Sequence, residues 1–177
     1  MSRSDEAEEI VWQGHFVTAK RRGKWEYVSR SRNIRAAVIL AIDADDHVLL
    51  VGQFRVPLGR NCIELPAGLV GDHDAGEAIE MAAARELEEE TGYRAGRSEV
   101  IGEFCSSPGM VSETFTLVRA TNLTRVGDGG GVDGEDIAVH RVPMAQIAAF
   151  VAERRALGDA IDVRLLMLLA PSIMGGM

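Results

Sequence analysis

The stretch GDHDAGEAIEMAAARELEEETGY, residues 71–93, decides the reading of the fold. Asp74 with Glu77 three residues later is a helix-start signal and Gly92 is a stop, so the spacing predicts a helix over 76–91. At 100° per residue, Ile79, Ala82, Ala83, Glu86 and Glu90 fall within roughly 60° of Ile79 on one face. Carboxylates therefore share the apolar stripe, while Arg85, Glu80 and Glu88 point elsewhere and Glu89 sits to one side. Two carboxylates one turn apart on a buried face repel each other and lose hydration, which is costly unless a cation or a proton compensates. A divalent cation is the simplest compensation, and oxygen-only donors suit Mg²⁺ or Mn²⁺ rather than Zn²⁺. The competing reading is a solvated, glutamate-rich surface helix held by its own contacts with arginine.

Working outward, AAVILA at 36–41 and HVLLVGQF at 47–54 are apolar runs joined by DADD at 43–46, which predicts two central strands. Ile63–Leu65 is a short apolar strand, and Pro66-Ala67-Gly68 ends it in a tight loop. Near the N-terminus, strands at about 10–19 and 24–30 flank the basic turn KRRGK at 20–24, a hairpin pattern. Beyond the helix, Glu99–Phe104 and Thr114–Ala120 read as strands separated by the loop SSPGMVSE at 106–113. GDGGGVDG at 127–134 is too polar and glycine-rich to pack and predicts a mobile loop. Ile137–Val142 returns to strand alternation, and helices follow at about 144–157 and 160–170 with Gly158 between them. The expectation is an α/β (α+β) fold, a mixed sheet flanked by two or three helices, with the N-terminal hairpin as an appendage.

Composition bounds the function. The 177 residues carry a net charge of −8, and 46% of them are hydrophobic. One domain of this size buries a sufficient core without disulfides or a structural metal, and a disordered chain is excluded. The acidic balance argues against a protein whose main work is holding a nucleic-acid backbone, and a small anionic ligand needs local arginines or a metal. Cys62 and Cys105 lack paired metal-ligand spacing and read as buried, reduced thiols. The acidic start MSRSDEAEEI has no export signal, and the apolar segment 165–170 is far short of the roughly 20 residues that cross a bilayer. A soluble, cytoplasmic protein without a membrane or nucleic-acid partner is expected.

The wider spacing tips the balance between the two readings of the helix. Gly71, Glu77, Arg85-Glu86-Leu87, Glu89-Glu90 and Gly92-Tyr93 together resemble the Nudix box. Tyr93 stands where an aliphatic residue is commoner, a departure that bears on packing more than chemistry. The resemblance implies an α/β/α sandwich around a mixed sheet and metal-assisted hydrolysis of a nucleoside diphosphate linked to another group. It also implies that Glu86 and Glu90 bind the metals, that Arg85 orients the neighbouring acids, that Glu77 caps the structure and that Glu89 contributes variably to catalysis. In that chemistry the cation, Mg²⁺ with Mn²⁺ as a substitute, offsets phosphate charge and activates water.

Gln53-Phe54-Arg55 and Glu64-Leu65-Pro66-Ala67-Gly68 look like segments of the ADP-ribose pyrophosphatases, an ADP-sugar pyrophosphatase-like branch of the family. This resemblance implies that the carbonyl of Ala67 ligates a metal and that Arg55 contacts the diphosphate; the simpler reading of Arg55 is a pair with Glu64. Pro108, 16 residues after Gly92, matches the branch's usual mark, and Glu113 in the same loop is a substrate-binding candidate or only a cap. Asp133-Gly134-Glu135-Asp136-Ile137 resembles the loop segment whose glutamate joins the metal cluster and the catalysis, which selects Glu135 with Asp133 as competitor. Trp25-Glu26-Tyr27-Val28-Ser29-Arg30 resembles a stretch supplied by the dimer partner, with Trp25 and Phe16 sandwiching adenine and Glu26 and Arg30 bonding nearby edges. The alternative is a hairpin whose Trp25 and Phe16 merely cover the core. The expected organisation is a flexible segment 1–9, a hairpin 10–32 used in dimerisation, and a Nudix hydrolase domain 33–177. The expected activity is hydrolysis of ADP-ribose or a close ADP-sugar to AMP and a sugar phosphate by a homodimer. The rivals are a pyrophosphatase for another nucleoside diphosphate sugar such as GDP-mannose, and a non-catalytic ADP-ribose sensor.

Overall fold

A computed structural model describes residues 6–31, 34–71, 76–132 and 134–175. Strand β4 (Arg35–Ala41) shows why an unbroken apolar run was needed. Its alternate residues serve two different cores: Ala37, Ile39 and Ala41 face one, and Val38 with Leu40 faces the other. Strand β5 (His47–Arg55) divides likewise, with Leu49 on the first side and Val48 and Leu50 on the second. Strands covered on both faces have no polar side to show, so they lose period-two alternation.

The first core lies under helix α1 (Ile79–Thr91), which contributes Ala82, Ala83 and Leu87. The second lies under α2 (Ile147–Ala156) and α3 (Leu166–Ile173), which contribute Ile147, Val151, Leu168 and Leu169. Between them stand two four-stranded sheets. One has the order β7-β4-β9-β8, with β7 (Ala67–Val70), β8 (Tyr93–Cys105) and β9 (Thr114–Arg125). The other runs β10-β5-β6-β11, with β6 (Arg60–Glu64), β10 (Ile137–Pro143) and β11 (Ala160–Ile161). The β4–β9 and β6–β11 pairings are parallel and the others are antiparallel, which gives the expected mixed α/β/α sandwich.

Several boundaries differ from the sequence expectation. The N-terminal element is a three-stranded antiparallel sheet, β1 (Glu8–Gln13), β2 (Val17–Arg22) and β3 (Trp25–Arg30), rather than a hairpin. The extra strand is held by charge: Glu8 pairs with Lys20 at 2.8 Å and Arg22 at 3.0 Å, and Glu9 with Arg21 at 2.7 Å. Ala67 and Gly68, expected in a tight loop, open strand β7 along the edge of β4. Helix α1 begins at Ile79, with Ala78 at its N-cap and no side-chain cap; Asp74, the expected start, lies outside the described residues. The expected second C-terminal helix is split: 160–161 pair with β6, and the Asp162 side chain caps a 3₁₀ turn by accepting the Arg164 amide. Cys62 is buried as expected but Cys105, at the end of β8, is exposed.

The glycine-rich segment departs furthest from expectation. The Gly130 and Gly131 amides donate to the carbonyls of Glu90 and Glu89 at 2.9 and 3.0 Å, so it packs against the C-terminal end of α1. No helix of the described residues is long and apolar enough to cross a membrane.

Candidate active site

Strand β7 and the last turns of α1 build the centre. The Ala67 amide donates to Glu90 Oε2 at 3.1 Å, and the Leu69 carbonyl accepts from Arg85. A Cβ at Gly68 would collide with the Glu86 carboxyl group, so glycine here lets the strand backbone approach the acid. The buried face of α1 is rotated from the expected one toward Leu87 and Thr91, yet it keeps Glu90, which is 7% exposed. Glu86, next to it, has a side chain 15% exposed.

Arg85 gathers Glu86 and Glu89 of the helix and Glu77 just before it. Its guanidinium donates to Glu86 at 2.9 Å, to Glu89 at 3.1 Å and to Glu77 at 3.3 Å. Burial works against its charge, but the Glu77 and Glu86 carboxylates outweigh burial and hold its pKa above the ordinary range.

Glu90 is left in an unfavourable state. Burial above all, joined by the charges of Glu86 and Glu135, pushes its carboxyl from 4.5 up to about 8 against the opposing Ala67 amide and Arg55. Glu135 is therefore close enough for its charge to be felt at Glu90, although its own carboxylate accepts the Val132 amide at 3.1 Å. Asp133, its competitor, lies outside the described residues. Among the described residues, no three His, Cys, Asp or Glu side chains are drawn together closely enough to close a metal site. The donor set nevertheless fits a hard divalent cation: oxygen atoms alone, one of them on a buried carboxylate whose charge the protein leaves poorly compensated.

Arg55, at the end of β5, pairs with Glu64 through two bonds of 2.6 and 2.9 Å, and its charge also favours ionised Glu90. The simpler sequence reading of Arg55, a pair with Glu64, is the one the structure shows. Glu64 is 4% exposed and meets a second cation, Arg164, at 3.4 Å. Arg164 is fixed in turn by Asp162 at 2.6 Å and lies over the Phe115 ring at 5.6 Å. Sequence reasoning missed Arg164; the Asp162 cap two residues before it was the available signal.

The candidates in the N-terminal sheet and the 106–113 loop make contacts among themselves. Arg30 and Glu113 form an ion pair with each other. Around it, Ser29 bonds Ser112 at 2.7 Å, the Val28 amide donates to the Met110 carbonyl and the Ser112 amide to the Val28 carbonyl, so β3 is sewn to the 106–113 loop of its own chain. Phe16 and Trp25 are 71% and 55% exposed, so neither covers the core, and Glu26, which follows Trp25, is exposed as well. Phe16 lies opposite Ser31, just beyond the Val17–Arg30 pair, while Trp25 pairs with Arg22 at the far end of β2–β3, so their backbone positions are about 20 Å apart along the strand. One chain cannot close both aromatics on one base.

The comparisons with known proteins agree with this geometry. The NUDIX domain family model matches residues 32–160. An ADP-ribose pyrophosphatase of Bacillus subtilis (strain 168) is 34% identical, over 71% of this chain and 66% of that protein. A GDP-mannose pyrophosphatase of Pectobacterium atrosepticum is 33% identical, over 80% of this chain and 73% of that protein. A crystal structure of an ADP compounds hydrolase superimposes with a TM-score of 0.69, covering 96% of this chain and 92% of the other at 24% identity, and so shares the fold. The chain spans about half to two thirds of the length of most of the curated relatives it matches. With Arg85, Glu86, Glu89 and Glu90 of the box on one helix and the family model covering most of the chain, this protein belongs to the Nudix family.

Proposed function

We propose that this protein hydrolyses the diphosphate of ADP-ribose or a close ADP-sugar, releasing AMP and a sugar phosphate, with Mg²⁺ held by Glu86, Glu90, Glu135 and the Ala67 carbonyl. The observation that carries the reading is buried Glu90, driven up to about 8 beside Glu86 and Glu135, a carboxylate that is stable and ionised at neutral pH only with a cation against it. Nudix hydrolases in general need a divalent metal. Bound there, the cation supplies the positive charge that the diphosphate requires and activates water for attack on phosphorus.

The chain's own residues do the rest. Arg85 keeps Glu86 and Glu89 turned toward the site. Arg55, held in place by Glu64, offers its outward N–H groups to the diphosphate. Glu135 is the acid that completes the cluster when it leaves the Val132 amide, and it is the residue assigned to proton transfer. Trp25 and Phe16 supply stacking faces for adenine, with Glu26, Arg30 and Glu113 at its edges. Because the two rings of one chain are too far apart to share a base, the sandwich requires two chains, which supports a homodimer joined through the N-terminal sheet, with residues 33–177 as the catalytic domain. Two free thiols suit the reducing cytoplasm.

A relative that is a GDP-mannose pyrophosphatase supports a second reading, the same chemistry on another nucleoside diphosphate sugar. The deciding experiment is Mg²⁺-dependent hydrolysis of ADP-ribose beside ADP-glucose, GDP-mannose and diadenosine polyphosphates, with products identified. Preferred release of AMP and ribose 5-phosphate is expected. Preferred release of GMP and mannose 1-phosphate overturns the choice of base, and ADP-ribose binding without turnover of any compound points to a sensor.

A further inference from the structure

Residues 126–131 do more than join β9 to β10. Besides the Gly130 and Gly131 amides on Glu90 and Glu89, the Val126 and Gly127 amides donate to the Gly92 carbonyl at 2.8 and 3.1 Å. These carbonyls lie at the open end of α1, where a helix leaves its last acceptors without donors. That end is also the negative pole of the helix, it carries the acids of the site, and its last turn has no basic residue. Backbone N–H groups of the glycine segment take the place that lysine or arginine fills in an ordinary helix.

Glycine is needed for the close approach. Gly129 has φ +70°, and a Cβ on it would lie 2.6 Å from the Glu90 carbonyl oxygen and 2.7 Å from Thr91 Cα, backbone that cannot step aside. A Cβ on Gly131 would collide with the Glu135 carboxylate. Gly130 is tied on its other side as well, its carbonyl accepting the Ile137 amide of β10 at 3.4 Å. The segment therefore touches the helix of Glu86 and Glu90 with one edge and Glu135 with the other.

We infer that Gly129–Gly131 is a fixed latch that sets the spacing between the Glu86–Glu90 pair and Glu135, which makes Gly129 and Gly131 positioning residues of the site. The inference rests on the function proposed above for the choice of those acids. The glycines serve close packing, and it is the Glu135 side chain, not the latch, that shifts when the site fills.

Two measurements test it. In amide hydrogen exchange on the metal-free, substrate-free protein, Gly130 and Gly131 are expected to be protected about 10²-fold or more relative to exposed Gly109. Gly129→Ala is expected to lower kcat by about 10²-fold and to weaken Mn²⁺ binding, with KM for ADP-ribose within about twofold of wild type. Gly158→Ala is the control: its φ is +95° with nothing within 4 Å of the new Cβ, so it carries the backbone strain away from the site and keeps wild-type kcat. Exchange at Gly130 and Gly131 as fast as at Gly109 overturns the latch, as does a folded Gly129→Ala with unchanged kcat and Mn²⁺ affinity. If Gly129→Ala does not fold, the exchange result on the wild type decides. A wild type without turnover defeats the proposed function, and its exchange pattern still decides the latch.

Discussion

Glu90 sets the pH behaviour expected of the metal-free protein. Its folded pKa is raised by burial, from 4.5 to about 8, so the stability associated with its protonated form is complete below pH 4.5 and is lost as pH rises through 8. The melting temperature of the metal-free protein should therefore fall between pH 5 and pH 8, and added Mn²⁺ should restore it more at pH 8 than at pH 5. Glu90→Gln removes the titration and should melt roughly 5–10 °C above the metal-free wild type at pH 8, about 2–4 kcal/mol. Thermal melts across that range check this; a wild-type profile as flat as that of the glutamine variant counts against an uncompensated carboxylate. At this scale much was legible. The 100° construction put Glu86 and Glu90 with Ala82 and Ala83 from the sequence alone, and the pairing of Arg55 with Glu64 was foreseen. Arg164 was harder to read, because its tie to Glu64 spans 100 residues and only the Asp162 cap marks it locally.

Elements were read best where one face decides them and worst where the partner is distant. The stop of α1 at Gly92, with φ +73°, follows from local glycine chemistry. Strand β7 was hidden because Pro66-Ala67-Gly68 carries turn residues, and what makes it a strand is the edge of β4. Strand β1 was hidden because its stabilising glutamates face a basic turn across the sheet. The glycine segment was misread as loose, since composition cannot show that a helix end waits to receive its amides. The N-terminal sheet carries its own test. Trp25 is exposed and its stacking on a base is worth about 1–3 kcal/mol, so Trp25→Ala should raise KM for ADP-ribose about tenfold while leaving kcat near wild type. Steady-state kinetics check it, and an unchanged KM removes Trp25 from the site.

For the whole molecule, the apolar strands and the box helix gave a mixed sheet flanked by helices, and the family resemblance added the α/β/α sandwich, in which a sheet covered on both faces has helices on both. The choice of substrate was less accessible, since the adenine-side candidates lie on a sheet whose aromatics do not meet within one chain. What joins the levels is the acidic face of α1: it is built into the core by Ala82, Ala83 and Leu87, backed by β7, and carries a buried carboxyl whose ionisation burial opposes, the group proposed to hold the cation. The decisive measurement is the rate of ADP-ribose hydrolysis as Mg²⁺ is titrated, in wild type and in Glu90→Gln. Wild-type turnover should be absent without the cation and saturate with it, while a folded Glu90→Gln should lose at least about 10³-fold in kcat at every concentration. Undiminished turnover by Glu90→Gln, or wild-type turnover in chelator, would contradict a metal site on this helix.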